Sequence, residues 1–133
     1  MHSKFLNFWK LEIEDRVIIN QYCLLDCRKH KIHIANDSDI GAHTFIWTLG
    51  HDINNDNHDL YGGDVNIGHH VWIASRVTIL PGLSIADGSV IASASVVTKN
   101  VEYLEVVAGN PAKVIKHRKN NLKYTITYQP FFE

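Results

Sequence analysis

The chain has 133 residues, 45% of them hydrophobic and 20% charged, which is room for one domain with one core and an ordinary globular composition. Thirteen Lys and Arg against fourteen Asp and Glu give a formal charge of −1, and that balance argues against a dedicated nucleic-acid binder, whose domain is usually strongly basic. No apolar run approaches the ~18 residues of a membrane span, the apolar N-terminal residues are interrupted by Lys4, Asn7 and Lys10 unlike a secretory signal, and Cys23 and Cys27 make neither a disulfide framework nor a CxxC pair, so a reducing cytoplasm is expected.

From the N-terminus onward an aliphatic residue recurs every six positions: Ile13, Ile19 and Leu25, then Ile34, Ile40 and Ile46, then after a gap Ile67, Ile73, Ile79, Ile85, Ile91 and Val97. Six is neither the helix period of 3.6 nor the strand period of 2. It fits a short strand followed by a corner, with one inward residue per strand. Three such strands close a triangular coil, and coils stack about 4.8 Å apart. β-branched Ile suits the inward rank. A second rank falls four positions after each rung, at Val71, Val77, Leu83, Ser89, Ser95 and Val101. The residue after a rung is small or turn-prone at Gly68, Ala74, Ala86 and Ala92, as a corner wants where the backbone turns without a crowded Cβ. Asn66, Trp72, Thr78, Ser84, Val90 and Val96 are expected to point outward. The expected fold is an all-β solenoid of about four to five coils within a single domain over 1–133, with coils at 13–46 and 67–101.

Two segments break the frame. Ile34 comes nine positions after Leu25, which inserts about three residues around Arg28–Lys31 at a corner. Ile67 comes twenty-one positions after Ile46, and 48–66 reads as a polar, turn-rich loop. Loops longer than about 12–15 residues inside compact domains are usually functional or disordered, and ordered coils on both sides favour function. His51 stands at the loop entry, directly after a ladder strand, where a neutral imidazole (ordinary pKa about 6.5) is suited to accept a proton near neutral pH. Asp52 or a backbone carbonyl would orient it. The loop from Gly50 to Asp64 carries no Lys or Arg, and Asn54, Asp56 and His58 offer hydrogen-bonding groups to a polyhydroxylated acceptor such as a sugar. His43, His69 and His70 fall at corners expected to face solvent. No His pair lines up across coils at one consistent hexad position as stacked ligands would, so no metal site is expected.

After Val101 the ladder is expected to stop, leaving 102–133 as a cap and tail. Val106–Ile115 reads as strand, Gly109-Asn110-Pro111 turn and strand. A helical turn is expected near 117–121, then a strand in which Tyr124, Ile126 and Tyr128 alternate with Thr125 and Thr127, before an apolar Pro130-Phe131-Phe132 end. No acidic residue occurs between Val106 and Phe132, whereas Lys113, Lys116, Arg118, Lys119 and Lys123 supply five cations. Such a tail suits a compact polyanion such as a nucleotide cofactor.

The run Gly63-Asp-Val-Asn-Ile-Gly-His-His-Val-Trp-Ile-Ala-Ser75, its continuation through Val97-Thr98-Lys99, and Gly109-Asn-Pro-Ala-Lys-Val-Ile115 resemble the hexapeptide-repeat acyltransferases, in particular their sugar and polysaccharide O-acetyltransferase branch. The resemblance implies a left-handed parallel β-helix, an exception to the right-handed crossover rule. It also implies acetyl-CoA as acyl donor, His51 as general base, and coenzyme A contacts at Trp72, Ser75, Ser93, Thr98, Lys99 and Lys113. A homotrimer with sites between neighbouring chains follows from it, as does a sugar or lipid-linked saccharide acceptor. Ala74, Ala86 and Ala92 stand where that family usually has Gly, and His69-His70 where it usually has Asp-Asn. Two other readings compete. A carbonic anhydrase-like zinc enzyme of the same fold needs His ligands placed across coils. A non-catalytic β-solenoid needs a flat repeated outer face, which the outward positions do not supply.

Overall fold

The six-residue period closes as a three-sided coil. In the computed structural model, which describes residues 2–127, the first coil holds β1 (Lys4–Leu6), β2 (Leu11–Ile13) and β3 (Ile18–Ile19). The second holds β4 (Leu24–Asp26), β5 (Ile32–Ile34) and β6 (Asp39–Ile40). The third runs from β7 (Phe45–Trp47) through an inserted pair, β8 (Leu49–His51) and β9 (Leu60–Gly62), to β10 (Val65–Ile67) and β11 (Trp72–Ile73). β12 (Thr78–Ile79), β13 (Ser84–Ile85) and β14 (Val90–Ile91) make the fourth. The fifth is β15 (Val96–Val97), a single bridge at Val101 and β16 (Glu105–Gly109), with β17 (Ala112–His117) folded back antiparallel on β16. Strands stack in parallel by face: β1-β4-β7-β12-β15 on the first, β2-β5-β10-β13 on the second, β3-β6-β11-β14-β16 on the third.

Register confirms the ladder. Leu25, Ile46, Ile79 and Val97 form one column, Ile34, Ile67 and Ile85 a second, and Ile40, Ile73, Ile91 and Val107 a third. All are at most 4% exposed, and each fully buried aliphatic side chain contributes about 1.5–3 kcal/mol of transfer free energy. Two rungs escape the six-step frame. Phe5 pairs with Leu25, so the stack already begins at β1. Val101 is a rung rather than a second-rank residue, since it bridges to Ile85, and the ladder continues to Val107 instead of stopping. Ile13 keeps register with Ile34 yet is 45% exposed, because β2 is the edge strand of its face.

The corners follow a rule of their own. Three positions after the rung the backbone is left-handed, at Arg16, Tyr22, Asp37, His43, His70, Arg76, Gly82, Gly88 and Ala94. The small residue directly after the rung therefore serves another purpose than the one expected. It lies against the next coil: a Cβ on Gly41 would sit 2.5 Å from the Ala74 carbonyl carbon. Second-rank hydroxyls are inward and satisfied. Ser38 Oγ donates to Gly68 O, Thr44 Oγ1 to Ala74 O, Ser89 Oγ to Ala86 O and Ser95 Oγ to Ala92 O, at 2.6–3.2 Å, which removes the cost of burying them.

All three frame breaks fall on the corner between the first and second faces. They are a 3-10 turn at Phe8–Lys10, the 28–31 insertion, and the β8–β9 hairpin. They are tied together: Asn7 Nδ2 donates to Arg28 O, Lys10 Nζ to Lys29 O, and the Lys31 N–H to Asp64 Oδ1. Arg28 grips buried Asp26 through two bonds of 2.9 Å and holds its carboxyl below the usual range.

The tail departs from expectation. β17 extends to His117 without a helical turn at 117–121, and 118–127 forms no strand. The segment lies along the corner between the second and third faces, where no free strand edge exists to pair with. Arg118 Nη1 donates to His70 O and Gly88 O, and its Nη2 to the Tyr124 hydroxyl. His70 Nε2 donates to Tyr124 O at 2.8 Å, and the Ile126 N–H to Asp37 Oδ1 at 2.9 Å. His70 is thus covered rather than solvent-facing. Val90, expected outward, is 9% exposed beside Val106. Tyr128 and Pro130-Phe131-Phe132 lie outside the described residues.

Ile79→Ala should cost about 2–5 kcal/mol as a cavity in the central column, whereas Ser84→Ala on the outer surface should stay within about 0.5 kcal/mol. Thermal melts compare the two. Asp37 gives a second prediction. The Arg16 guanidinium, with the Ile126 N–H, holds its carboxyl down from 3.8 to about 2 against the opposing effect of burial. A carboxyl depressed on folding stabilises fully above its unfolded value and loses that contribution as pH falls. Stability should therefore drop between about pH 4 and 2, and this part of the drop should vanish in Asp37→Asn, read by melts across that range.

Candidate active site

Thr48 is fully buried and donates from Oγ1 to Asp26 O at 2.6 Å. From that anchor the chain leaves the coil as an antiparallel hairpin, with Leu49 opposite Gly62, Gly50 opposite Tyr61 and His51 opposite Leu60. The segment read as a loop over 48–66 is therefore a structured hairpin followed by ladder strand β10. Its tip is built by short polar side chains that reach the backbone two residues on. Asn55 Oδ1 accepts from the Asn57 N–H at 2.8 Å, Asn55 Nδ2 donates to Asp59 Oδ2 at 3.1 Å, and Asp52 Oδ1 accepts from the Asn54 N–H at 2.9 Å.

His51 Nδ1 is 2.9 Å from His58 O. A carbonyl only accepts, so Nδ1 carries the hydrogen and Nε2 keeps a free lone pair in the neutral ring. Of the two orienting partners left open by the sequence, the backbone carbonyl takes the role, and the Asp52 carboxylate is turned to the Asn54 N–H. The His58 ring lies on His51 with centroids 3.7 Å apart and 9° between planes. His51, Asp52, Ile53 and Tyr61 line a pocket of about 380 Å³. Asn54 and Asp56 are exposed on the tip outside it.

A groove opens on the third face. Trp72, 50% exposed, stands in register between Asp39 and Val90. It shares a hollow of about 290 Å³ with Ser75, Ser93, Asn20 and Asp39. Burial pushes the Asp39 carboxyl up, opposed by a 3.2 Å bond from Asn20 Nδ2. Trp72 and Ser93 also line a wider groove of about 750 Å³ with Val90, Ile115, Lys116 and Lys119. Thr98, Lys99 and Lys113 come together in a third pocket, of about 330 Å³.

The residues singled out in the sequence thus fall into three patches. The hairpin pocket and the Thr98–Lys99 turn share one corner, two coils apart, while the Trp72 groove belongs to the third face and the corner after it. Asn20, Asp39, Asn55 and Tyr61 were missed. Asp39 and Trp72 both precede a rung, so the six-step frame held the signal for that pair; nothing in the pattern marks Asn55 or Tyr61. Of the five tail cations, Arg118 is spent on holding the tail, and Lys116 and Lys119 face the groove. Among the described residues no three His, Cys, Asp or Glu side chains are arranged to hold a metal ion. His43 stacks on Tyr22, His69 faces Glu14 and His70 lies under the tail, so the ligand set of the zinc reading does not assemble from them.

The architecture matches solved proteins over nearly the whole chain. A maltose O-acetyltransferase from Clostridium difficile 630 superposes with a TM-score of 0.82 at 30% identity, over 90% of this chain and 65% of that one. A galactoside acetyltransferase in complex with coenzyme A gives 0.80 at 26% identity, over 95% and 67%. The structural neighbours are hexapeptide-repeat acetyltransferases. A mirror-image coil would not superpose over nine tenths of the chain, so the β-helix is left-handed. Galactoside O-acetyltransferase of Escherichia coli (strain K12) is 33% identical over 98 residues, 71% of this chain and 48% of its own. A chloramphenicol acetyltransferase of Agrobacterium fabrum is 49% identical over 59 residues, 44% of this chain and 28% of its own. The chain spans about a quarter to a half of the length of these curated relatives. No protein-family profile matches it. No helix among the described residues is long and apolar enough to cross a membrane.

The hairpin depends on a close approach at Gly62. A Cβ there would collide with the Thr48 carbonyl oxygen and come within 3.0 Å of the His30 ring. Gly62→Ala should push β9 away from its anchor. Amides of the hairpin should then lose hydrogen-exchange protection while those of the ladder columns keep theirs.

Proposed function

We propose that this chain is an acetyl-CoA-dependent O-acetyltransferase, acting as one β-helical domain on a hydroxyl of a sugar or surface polysaccharide precursor. The observation that carries the reading is His51, whose Nδ1–H is committed to a carbonyl and whose Nε2 is left as a free base. The neighbour solved with coenzyme A supports the donor. The chain's own residues fit it: an apolar groove wall at Trp72, Val90 and Ile115 suits the pantetheine arm, and Lys99, Lys113, Lys116 and Lys119 suit its phosphates.

In this reading His51 Nε2 takes the proton of the acceptor hydroxyl as its oxygen attacks the thioester carbonyl. A backbone N–H near the hairpin stabilises the oxyanion. The carbon–sulfur bond breaks, and His51 returns the proton to the departing thiolate. Asn54 and Asp56 at the hairpin tip would meet the acceptor. On the same corner Phe8 and Trp9 are 68% and 69% exposed and present flat faces on which sugar rings stack. Asp52 shares the pocket as a polar contact.

The separation of His51 from the Trp72 groove within one chain supports a homotrimer with sites between protomers. One protomer would bring the corner with His51, Thr98 and Lys99, and its partner the groove with Trp72, Ser75 and Ser93. A cytoplasmic location accords with Cys23 and Cys27, which are buried, unpaired and have thiols pushed up by burial.

His51→Ala should lose about 10²–10⁴-fold in acetyl transfer, the usual worth of a positioned base, with melting temperature and coenzyme A affinity unchanged. Coenzyme A release across a panel of sugars measures the first, and retained activity would refute the reading. Lys99→Ala and Lys113→Ala should each weaken coenzyme A binding by about 1.5–3 kcal/mol if a charge-assisted bond is lost. Titration calorimetry showing unchanged affinity in both would move the donor site elsewhere.

A further inference from the structure

We propose that His58 is a positioning residue for His51. Its carbonyl fixes the proton on His51 Nδ1, and its imidazole, laid on the face of His51, holds that ring in place. The inference rests on His51 being the general base and adds what keeps that base aimed.

His51 is exposed at the end of β8, and an exposed imidazole ordinarily turns freely about its two side-chain torsions. Two contacts stop it here, and both come from residue 58. The 2.9 Å bond to His58 O sets the tautomer and leaves Nε2 bare. The stack, at 3.7 Å and 9°, blocks rotation out of that plane. The loop is built to deliver both, since the His58 N–H donates to Asn55 O and the residue adopts a left-handed backbone with φ of 56°. Histidine is among the residues enriched in that region, and Asn55, through its bonds to residues 57 and 59, locks the turn.

When His51 becomes a cation during transfer, the His58 ring lying on its face offers it π density.

Histidine-ring NMR relaxation of the whole protein provides the test, with His58→Phe, His58→Ala and His51→Ala as variants. In the native chain the His51 ring should be immobilised. In His58→Phe the flat ring remains and His51 should stay immobilised, whereas in His58→Ala it should regain ring mobility. With maltose as acceptor, coenzyme A release should lose about tenfold or more in kcat in His58→Ala with KM little changed, and His58→Phe should recover most of that loss. A His51 ring as immobile in His58→Ala as in the native chain, or an equal loss in both His58 variants, would overturn the proposal even if His51→Ala is inactive. Full activity in His51→Ala would instead overturn the general-base reading, whatever the ring mobility shows.

Discussion

The dry column of stacked aliphatic side chains is the constraint to which everything else in this chain answers. A prism three short strands around has an interior only wide enough for one rung per strand and the second-rank residue two positions before it, so an extra residue inside a strand would flip the ladder out of the core. Insertions are admitted only at corners. All three here use the same corner, where the 3-10 turn, the 28–31 insertion and the β8–β9 hairpin brace one another through Asn7, Lys10, Lys31 and Asp64. A side chain on a long excursion would ordinarily be poorly aimed. His51 avoids that by standing three residues beyond a fully buried Thr48, on an element supported from below by the neighbouring insertion.

The narrow interior also decides which polar groups are allowed inside. With no room for a water-filled cavity, each second-rank hydroxyl must find a carbonyl within the stack, and Ser38, Thr44, Ser89 and Ser95 all do so. The left-handed corner is the accompanying expense. For a non-glycine residue that conformation costs on the order of 1–2 kcal/mol, yet it is accepted at Arg16, Tyr22, Asp37, His43, His70, Arg76 and Ala94. Several of those side chains recover part of the cost by stacking or pairing along the corner. Tyr22 lies on His43, and Arg16 and Asp37 form a two-point pair that also takes the Ile126 N–H.

These interactions explain what was legible in the sequence. A six-step ladder is strict because a wrong residue breaks a dry column, so nearly every rung could be read directly. Phe5 and Val101 could not, because an eight-residue and a four-residue step hide them, and only the register with Leu25 and Ile85 reveals their place. The place of His51, at the end of the strand that leaves the coil, was legible from the frame break. The order of the hairpin was not, since it depends on which amide Asn55 and Asp52 reach, and local polar side chains satisfy many turn geometries equally well. The stack of His58 on His51 joins residues seven apart across an irregular turn, with no periodicity to announce it. The tail alternates like a strand at Tyr124 and Ile126, but alternation makes a strand only beside a free edge, and a β-helix corner has none.

A solenoid also limits how a reaction site can be assembled. Residues close in sequence stay on one corner, and residues on different faces are separated by a packed interior that no side chain crosses. If His51 is the base and the third-face groove takes the acyl donor, as proposed, the two therefore have two routes to each other. Either the donor wraps around the outside of the prism, or a second prism places its own groove against the first hairpin. Wrapping would carry an extended ligand across exposed sheet with only one side covered, whereas a neighbouring shaft supplies the other wall and excludes water from the reacting carbonyl, where oxyanion stabilisation is strongest. The three-sided coil suits the second route, since flat faces pack against flat faces and a threefold ring closes with identical contacts at every joint. In the proposed trimer the corner that tolerates insertions is the corner turned toward the partner, which gives a rigid, repetitive fold one adjustable place for acceptor recognition.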